Sequence, residues 1–344
     1  SLYGCTVNNS DKTYCYTGDT AVECNKDKLS KIYGNSTQNG TPTPTSPVEI
    51  QSVGEKTKNL FNLTKDDFSK GTINGEGKLV KMTLKPNTVY TLSSNASKYD
   101  SSSTNIWFNG NSTNSNGVWE NQPRSTTSDQ NGEIYIVIRS VSINNIFENY
   151  WIQLEEGSTA TSYEPYGYKV PITVSNGTDT KTTNIYLKEP LRKIGEYADY
   201  LDLTNKKVVR NTKEIVFNGT ESWQKHTNLN IYYINDTSIK HSDNISCYSD
   251  KYKGQVSGSG NSYGSGNMWI QSINSYPRIY ISNDNYTTVD TFKTYLASSN
   301  VAGYFVLETP AEESVAVPEI PSLSDGQKCE DFYKVNGTTL ECGY

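Results

Sequence analysis

Residues 151–168 read WIQLEEGSTATSYEPYGY. Tyr150, Ile152 and Leu154 alternate there with Trp151, Gln153 and Glu155, the period of two that gives a strand one apolar face. The pattern ends in an acidic step, Glu155–Glu156, and a Tyr/Pro-rich exit. The same period recurs outward from this stretch. Ile134, Ile136 and Ile138 alternate with Tyr135, Val137 and Arg139, and Val80, Met82 and Leu84 with Lys81, Thr83 and Lys85. Eight Asn-Gly steps punctuate the chain, at Asn39, Asn74, Asn109, Asn116, Asn131, Asn176, Asn218 and Asn336. Both residues of that dipeptide accept positive φ, which makes it a strong hairpin signal. Many short strands with frequent turns predict an all-β chain built of β-sandwiches.

Composition bounds the function. The 344 residues are enough for two domains. Only 34% are hydrophobic and mean hydropathy is −0.67, so the cores are thin. Tyr, at 26, outnumbers Phe and Trp together, which suits half-exposed strands and polar loops. The net charge of −6 and the lack of a basic run argue against nucleic acid or an anionic membrane as partner. The longest apolar run, around Ile134–Ile138, is far too short to span a bilayer.

The 151–168 stretch closely resembles the closing strand of the jelly-roll, carbohydrate-binding-module-like domains of tail and baseplate proteins from phages of Gram-positive bacteria. Residues 33–63 (YGNSTQNGTPTPTSPVEIQSVGEKTKNLFNL) resemble the linker into such a domain. Residues 290–321 (DTFKTYLASSNVAGYFVLETPAEESVAVPEIP) resemble the end of the module that often follows it. The resemblance spans roughly 33–321 in the family's order. It implies attachment to a surface through glycans, in an extracellular setting, on a virion tail or a bacterial cell surface.

Four segments follow. Residues 1–54 are a Cys-bearing head with a Thr/Pro linker, TPTPTSP at 41–47, expected to be extended and stiff. Residues 55–166 form the first sandwich, 167–312 the second, and 313–344 a C-terminal segment. One helix is expected in the second sandwich, at 290–299, with Val289, Phe292 and Leu296 on one face and Thr288 or Asp290 as cap.

Six cysteines, Cys5, Cys15, Cys24, Cys247, Cys329 and Cys342, contain no CxxC pair and point to disulfides, with fifteen possible connectivities. A Cys329–Cys342 loop and one bridge within the first 24 residues are the expected pairs. That framing also suits a secreted filament subunit carrying phage-like modules, and a C-terminal disulfide loop resembles the closing loop of type IV pilins, whose apolar N-terminal helix this chain lacks.

Catalysis has little support. Glu155 and Glu156 are adjacent on a strand and point to opposite faces, so they cannot flank one glycosidic bond. No cofactor is expected; related sandwiches carry structural calcium, which makes one of these carboxylates a calcium candidate. Sugar sites need rings whose faces stack on C–H groups, with amides and Arg for the hydroxyls. The first sandwich offers Tyr99, Trp107, Phe108, Trp119, Asn121 and Arg124 in a loop-rich stretch. Trp107, flanked by Ile106 and Phe108, reads equally as a core ring, as does Trp119, and Trp151 reads as core. Trp223, Tyr248, Tyr252, Tyr263 and Trp269 form a looser set in the second sandwich. The expectation is a non-catalytic protein that binds cell-surface polysaccharide, within a homo-oligomer or larger surface assembly. The alternative is a structural subunit of an extracellular filament.

Overall fold

The computed structural model describes residues 3–6, 13–17, 20–24, 31–101, 103–109, 116–175, 180–240, 245–256, 263–273, 276–318, 332–336 and 339–341. Strands dominate, and the fold is all-β. The chain divides into two compact units, Lys56–Tyr168 and a second made of Ser1–Glu55 with Lys169–Tyr344.

In the first unit two antiparallel sheets face each other. One has the strand order Gly117–Val118, Ile106–Phe108, Glu133–Arg139, Gly77–Thr83, Thr72–Asn74; the other, Arg124–Thr127, Val89–Ser94, Ile152–Glu156. The period-two triplets supply the layer between them. Ile134, Ile136, Ile138 and Leu154 are fully buried with Leu92, Ile106 and Phe108, and Val80 and Leu84 pack at the margin. The Asn74-Gly75 step turns the first hairpin, with Gly75 at φ +57. Gly132 sits at φ +79 where a Cβ would lie 2.1 Å from the Leu84 carbonyl, so only glycine fits that turn. Two helices were not read from the sequence. Lys65–Lys70 starts at a capping box between Thr64 and Asp67, and Ile143–Asn149 buries Ile143 and Ile146.

Two polar side chains of the closing strand Ile152–Glu156 are buried as deeply as its apolar ones. Gln153 and Glu155 are 0% and 3% exposed. Glu155 accepts from Thr161 N (3.1 Å), from the Thr161 hydroxyl and from Gln153 Nε2 (2.7 Å), while Gln153 Oε1 accepts from Glu164 N (2.7 Å). The Ser/Thr/Pro exit is thereby folded back onto its own strand. Asn59 joins the start of the unit to this arrangement. Its Nδ2 donates to the carbonyls of Ile152 (3.1 Å) and Glu164 (3.0 Å), and its Oδ1 accepts from Phe61 N (2.9 Å) and Leu154 N (3.1 Å).

The second unit contains a further sandwich. One sheet runs Tyr248–Ser249, Val301–Ser314, Lys207–Phe217, Tyr200–Asp202, Lys31–Tyr33, and the other Gln224–Lys225, Ile231–Asn235, Tyr276–Ser282, Asn267–Ile273, Lys253–Gly254. The expected helix is present as Val289–Ser299. Thr288 caps it by accepting from Thr291 N, and Phe292 and Leu296 are buried in the core. The pairing of Lys207–Phe217 with Val301–Ser314 shifts register at Asn211, opposite residues 307–310, and the fully buried Asp199 organises that point. Its carboxylate accepts from Asn211 N (2.8 Å), Thr212 N (2.9 Å), the Thr212 hydroxyl (3.1 Å), Arg192 N (3.1 Å) and Arg210 (3.4 Å).

Three expectations change. Residues 31–54 are not a free linker: Lys31–Tyr33 joins a sheet, Ser36–Gln38 pairs with Ile50–Ser52, and the TPTPTSP stretch turns tightly between Thr43 and Ser46. The hairpin ladder satisfies backbone groups that an extended linker would leave to water. The terminal segments share one sheet, in which Cys5 stands opposite Phe332 and Thr339–Glu341 runs parallel to Thr173–Ser175. Cys247 is a free thiol buried in the second core, donating to the Met268 carbonyl at 3.4 Å, so it is not a disulfide partner. The strand register sets Cys5 against Tyr14, Cys15 against Val22 and Cys24 against Thr13, so no two of these three stand directly opposite. Cys329 and Cys342 lie outside the described residues.

Two consequences are measurable. Asn59→Ala leaves three buried backbone groups and one part-buried carbonyl without that partner and should destabilise the first unit by about 3–5 kcal/mol in denaturant unfolding. Glu156→Gln, which removes only an exposed pair with Lys85, should change it by under about 1 kcal/mol. Burial pushes the Cys247 thiol up to about 12 from an ordinary value of 9.0. Its contribution to stability is therefore full below pH 9 and declines as pH rises from 9 towards 12, because the unfolded thiol ionises first. Site-resolved mass spectrometry after iodoacetamide at pH 8 should find Cys247 unmodified in the native protein and modified in denaturant.

Candidate functional site

The six residues expected to bind sugar do not form one site. Phe108 is buried between the sheets at 1% exposure. Trp107 points to the other face of its strand and is still only 2% exposed, with the Arg139 guanidinium 5.4 Å from its ring centroid. Both are corrected to structural rings: neither presents a face on which a sugar could stack. Tyr99 is half exposed and lies on the same guanidinium at 4.1 Å. Arg139 is itself held by the Thr104 carbonyl at 3.2 Å and by Glu76.

Trp119 and Arg124 remain together. Val118 ends the edge strand of one sheet and Arg124 starts the edge strand of the other, so the turn between them crosses the open side of the sandwich. Trp119 is half-buried there, with Arg124 5.8 Å and Lys98 4.4 Å from its ring centroid. Asn121 occupies the turn itself, exposed and at φ +59, a conformation asparagine tolerates better than most residues.

A pocket missed in the sequence lies elsewhere on the same unit. Trp151, expected in the core, stacks on Tyr163 with centroids 4.7 Å apart and planes 17° from parallel. Tyr150, Tyr163 and Tyr166 stand around a cavity of about 200 Å3, floored by Phe61, Ile146 and Phe147. Tyr163 and Tyr166 are 40% and 44% exposed. No charged side chain lines it. The folded-back exit positions these rings: Tyr163 follows Ser162, whose carbonyl accepts from Gln153 Nε2, and Tyr166 stands two residues after Glu164, tied to Gln153 and Asn59. The alternation rule places Trp151 opposite Ile152 and Leu154, but it cannot say that the chain returns to cover that face.

The looser set in the second unit is mainly structural. Trp223, Tyr252 and Trp269 are buried. Tyr233, Tyr280 and Trp269 stand directly opposite one another on three neighbouring strands and pack at 5.4 and 5.2 Å, with Tyr263 edge-on to Trp269 at 5.3 Å. Tyr280 and Trp269 are covered, so the row braces that face of the sheet.

Glu156 is exposed and paired to Lys85 at 2.7 Å, while Glu155 faces N–H and O–H donors on the other side of the strand. The Glu155 carboxylate is taken up by those N–H and O–H donors. Among the described residues no three of His, Cys, Asp and Glu come together as a metal site. Among them also, no helix is long and apolar enough to cross a membrane. Comparison of the chain with family models, curated proteins and solved structures finds no match.

Proposed function

We propose that the protein is a non-catalytic binder of cell-surface polysaccharide, displayed on a virion tail or bacterial surface, and that it holds sugar in the Trp151–Tyr163 pocket. The observation that carries this reading is a pre-stacked, partly exposed set of rings with hydroxyl and indole edges around a cavity without charge. Sugar C–H faces stack on such rings while their hydroxyls reach the polar edges. The cavity is small by the standard of ligand pockets, which suits one sugar residue of a longer chain. The resemblance of residues 151–168 to glycan-binding tail domains supports the same reading.

A second reading is favoured by one observation. The sheet that joins the two ends of the chain has Thr20–Cys24 at its edge, and an edge strand can pair with another copy. In that case the protein is a subunit of a filament and the sandwiches are its decoration.

The test is binding of the purified chain to Gram-positive envelopes and extracted wall polysaccharides, with Tyr163→Ala and Tyr166→Ala beside wild type. Each substitution should weaken saturable binding about 3- to 10-fold with little change in thermal unfolding. Trp107→Ala should instead lower thermal stability. Wild-type affinity in the Tyr163→Ala, Tyr166→Ala double variant would exclude the pocket. No binding to any surface, with polymers seen by electron microscopy, would establish the filament reading instead.

A further inference from the structure

Two cations lie against the ring of Trp119. Among the described residues neither Lys98 nor Arg124 forms an ion pair, whereas Lys81, Lys85 and Arg139 of the same unit all do. Arg124 Nε is buried without an acceptor. A buried, unpaired donor on a charged group costs free energy unless something else supplies the acceptor. Both cations lie against one ring, so their charged groups are no more than about 10 Å apart, the sum of the two distances to its centroid. This happens in a chain whose overall charge is −6. The nearest acid in the turn, Glu120, is exposed and donates its backbone N–H to Ala96 O at 2.8 Å.

The cluster is also next to the pocket. Trp151 N donates to Asn95 Oδ1 (2.8 Å) and Ser94 Oγ donates to the Trp151 carbonyl (2.7 Å) on one side of the segment Ser94–Ala96. Glu120 N meets Ala96 O on the other. One short segment therefore separates Trp151 from the Trp119 turn, a spacing of roughly two strand widths, about 10 Å. That backbone spacing is short enough for a few linked sugars to bridge.

We propose that Lys98, Trp119 and Arg124 form a second subsite that takes a carboxylate or phosphate group, so that the ligand is an anionic polysaccharide. The inference rests on the glycan reading above and names its substrate class. The guanidinium offers directed N–H donors to the anion's oxygens, the ammonium a point charge, and the ring a face for the adjoining sugar.

The experiment uses the full chain and wall polysaccharide separated by anion exchange into neutral, uronate-bearing and phosphate-bearing fractions. Calorimetry at low and moderate salt is run on wild type, Lys98→Gln, Arg124→Gln and the double variant. At least one anionic fraction should bind tenfold or more tightly than the neutral one. The double variant should lose that margin and most of its salt dependence. Lys98→Gln, at an exposed position, carries the test if Arg124→Gln lowers the thermal midpoint. Preference for the uronate or for the phosphate fraction identifies which anion is recognised. Equal binding of neutral and anionic fractions, or an unchanged preference in the variants, would overturn the subsite and leave the pocket standing. Failure of every fraction to bind wild type would overturn both.

Discussion

A single buried amide ties the first sandwich to its own end. Asn59 sits near the start of the unit and makes four hydrogen bonds, two of them with the backbone of the closing strand and one with the exit that follows it. In a low-dielectric interior a fully satisfied polar group specifies one arrangement, because any slip leaves several groups unpaired at once. Gln153 and Glu155 extend the same logic to residues 161–164. The exit is consequently a defined surface with Tyr163 and Tyr166 at set positions, and the pocket exists because of it.

This also accounts for the division of labour between the two carboxylates at the strand end. The pleat sends Glu155 inward to donors and Glu156 outward to Lys85. The acidic step that stands out in the sequence is thus a clamp and a surface pair. The aromatic rings divide in the same way. Trp107, Trp223 and Trp269 brace sheets, Trp151 lines the pocket, and Trp119 closes the edge of the sandwich beneath two cations. Binding surface and packing surface draw on the same residue types, and only their neighbours distinguish them.

The strand triplets at 80–84, 134–138 and 150–154, the Asn74-Gly75 turn and the helix at Val289–Ser299 were legible because each depends on residues close in sequence. The helix Ile143–Asn149 was not: its sequence, INNIFEN, is poor in helix formers, and its stability comes from burying Ile143 and Ile146. The Thr/Pro stretch 41–47 carries the composition of a stiff linker and becomes a hairpin turn because the flanking strands pair. Of the expected site, Tyr99, Trp119, Asn121 and Arg124 are at the surface or its edge, while Trp107 and Phe108 are buried.

By itself the sequence determined that the chain would be all-β and where several strands and turns would fall, since period and turn chemistry are local properties. Tertiary structure decided which rings are exposed, that Glu155 is a clamp, that Cys247 is a buried thiol, and that Trp151 lies beside Tyr163. Each of those depends on what another part of the chain places against the residue, and the pleat of a strand says which way a side chain points without saying what will meet it there.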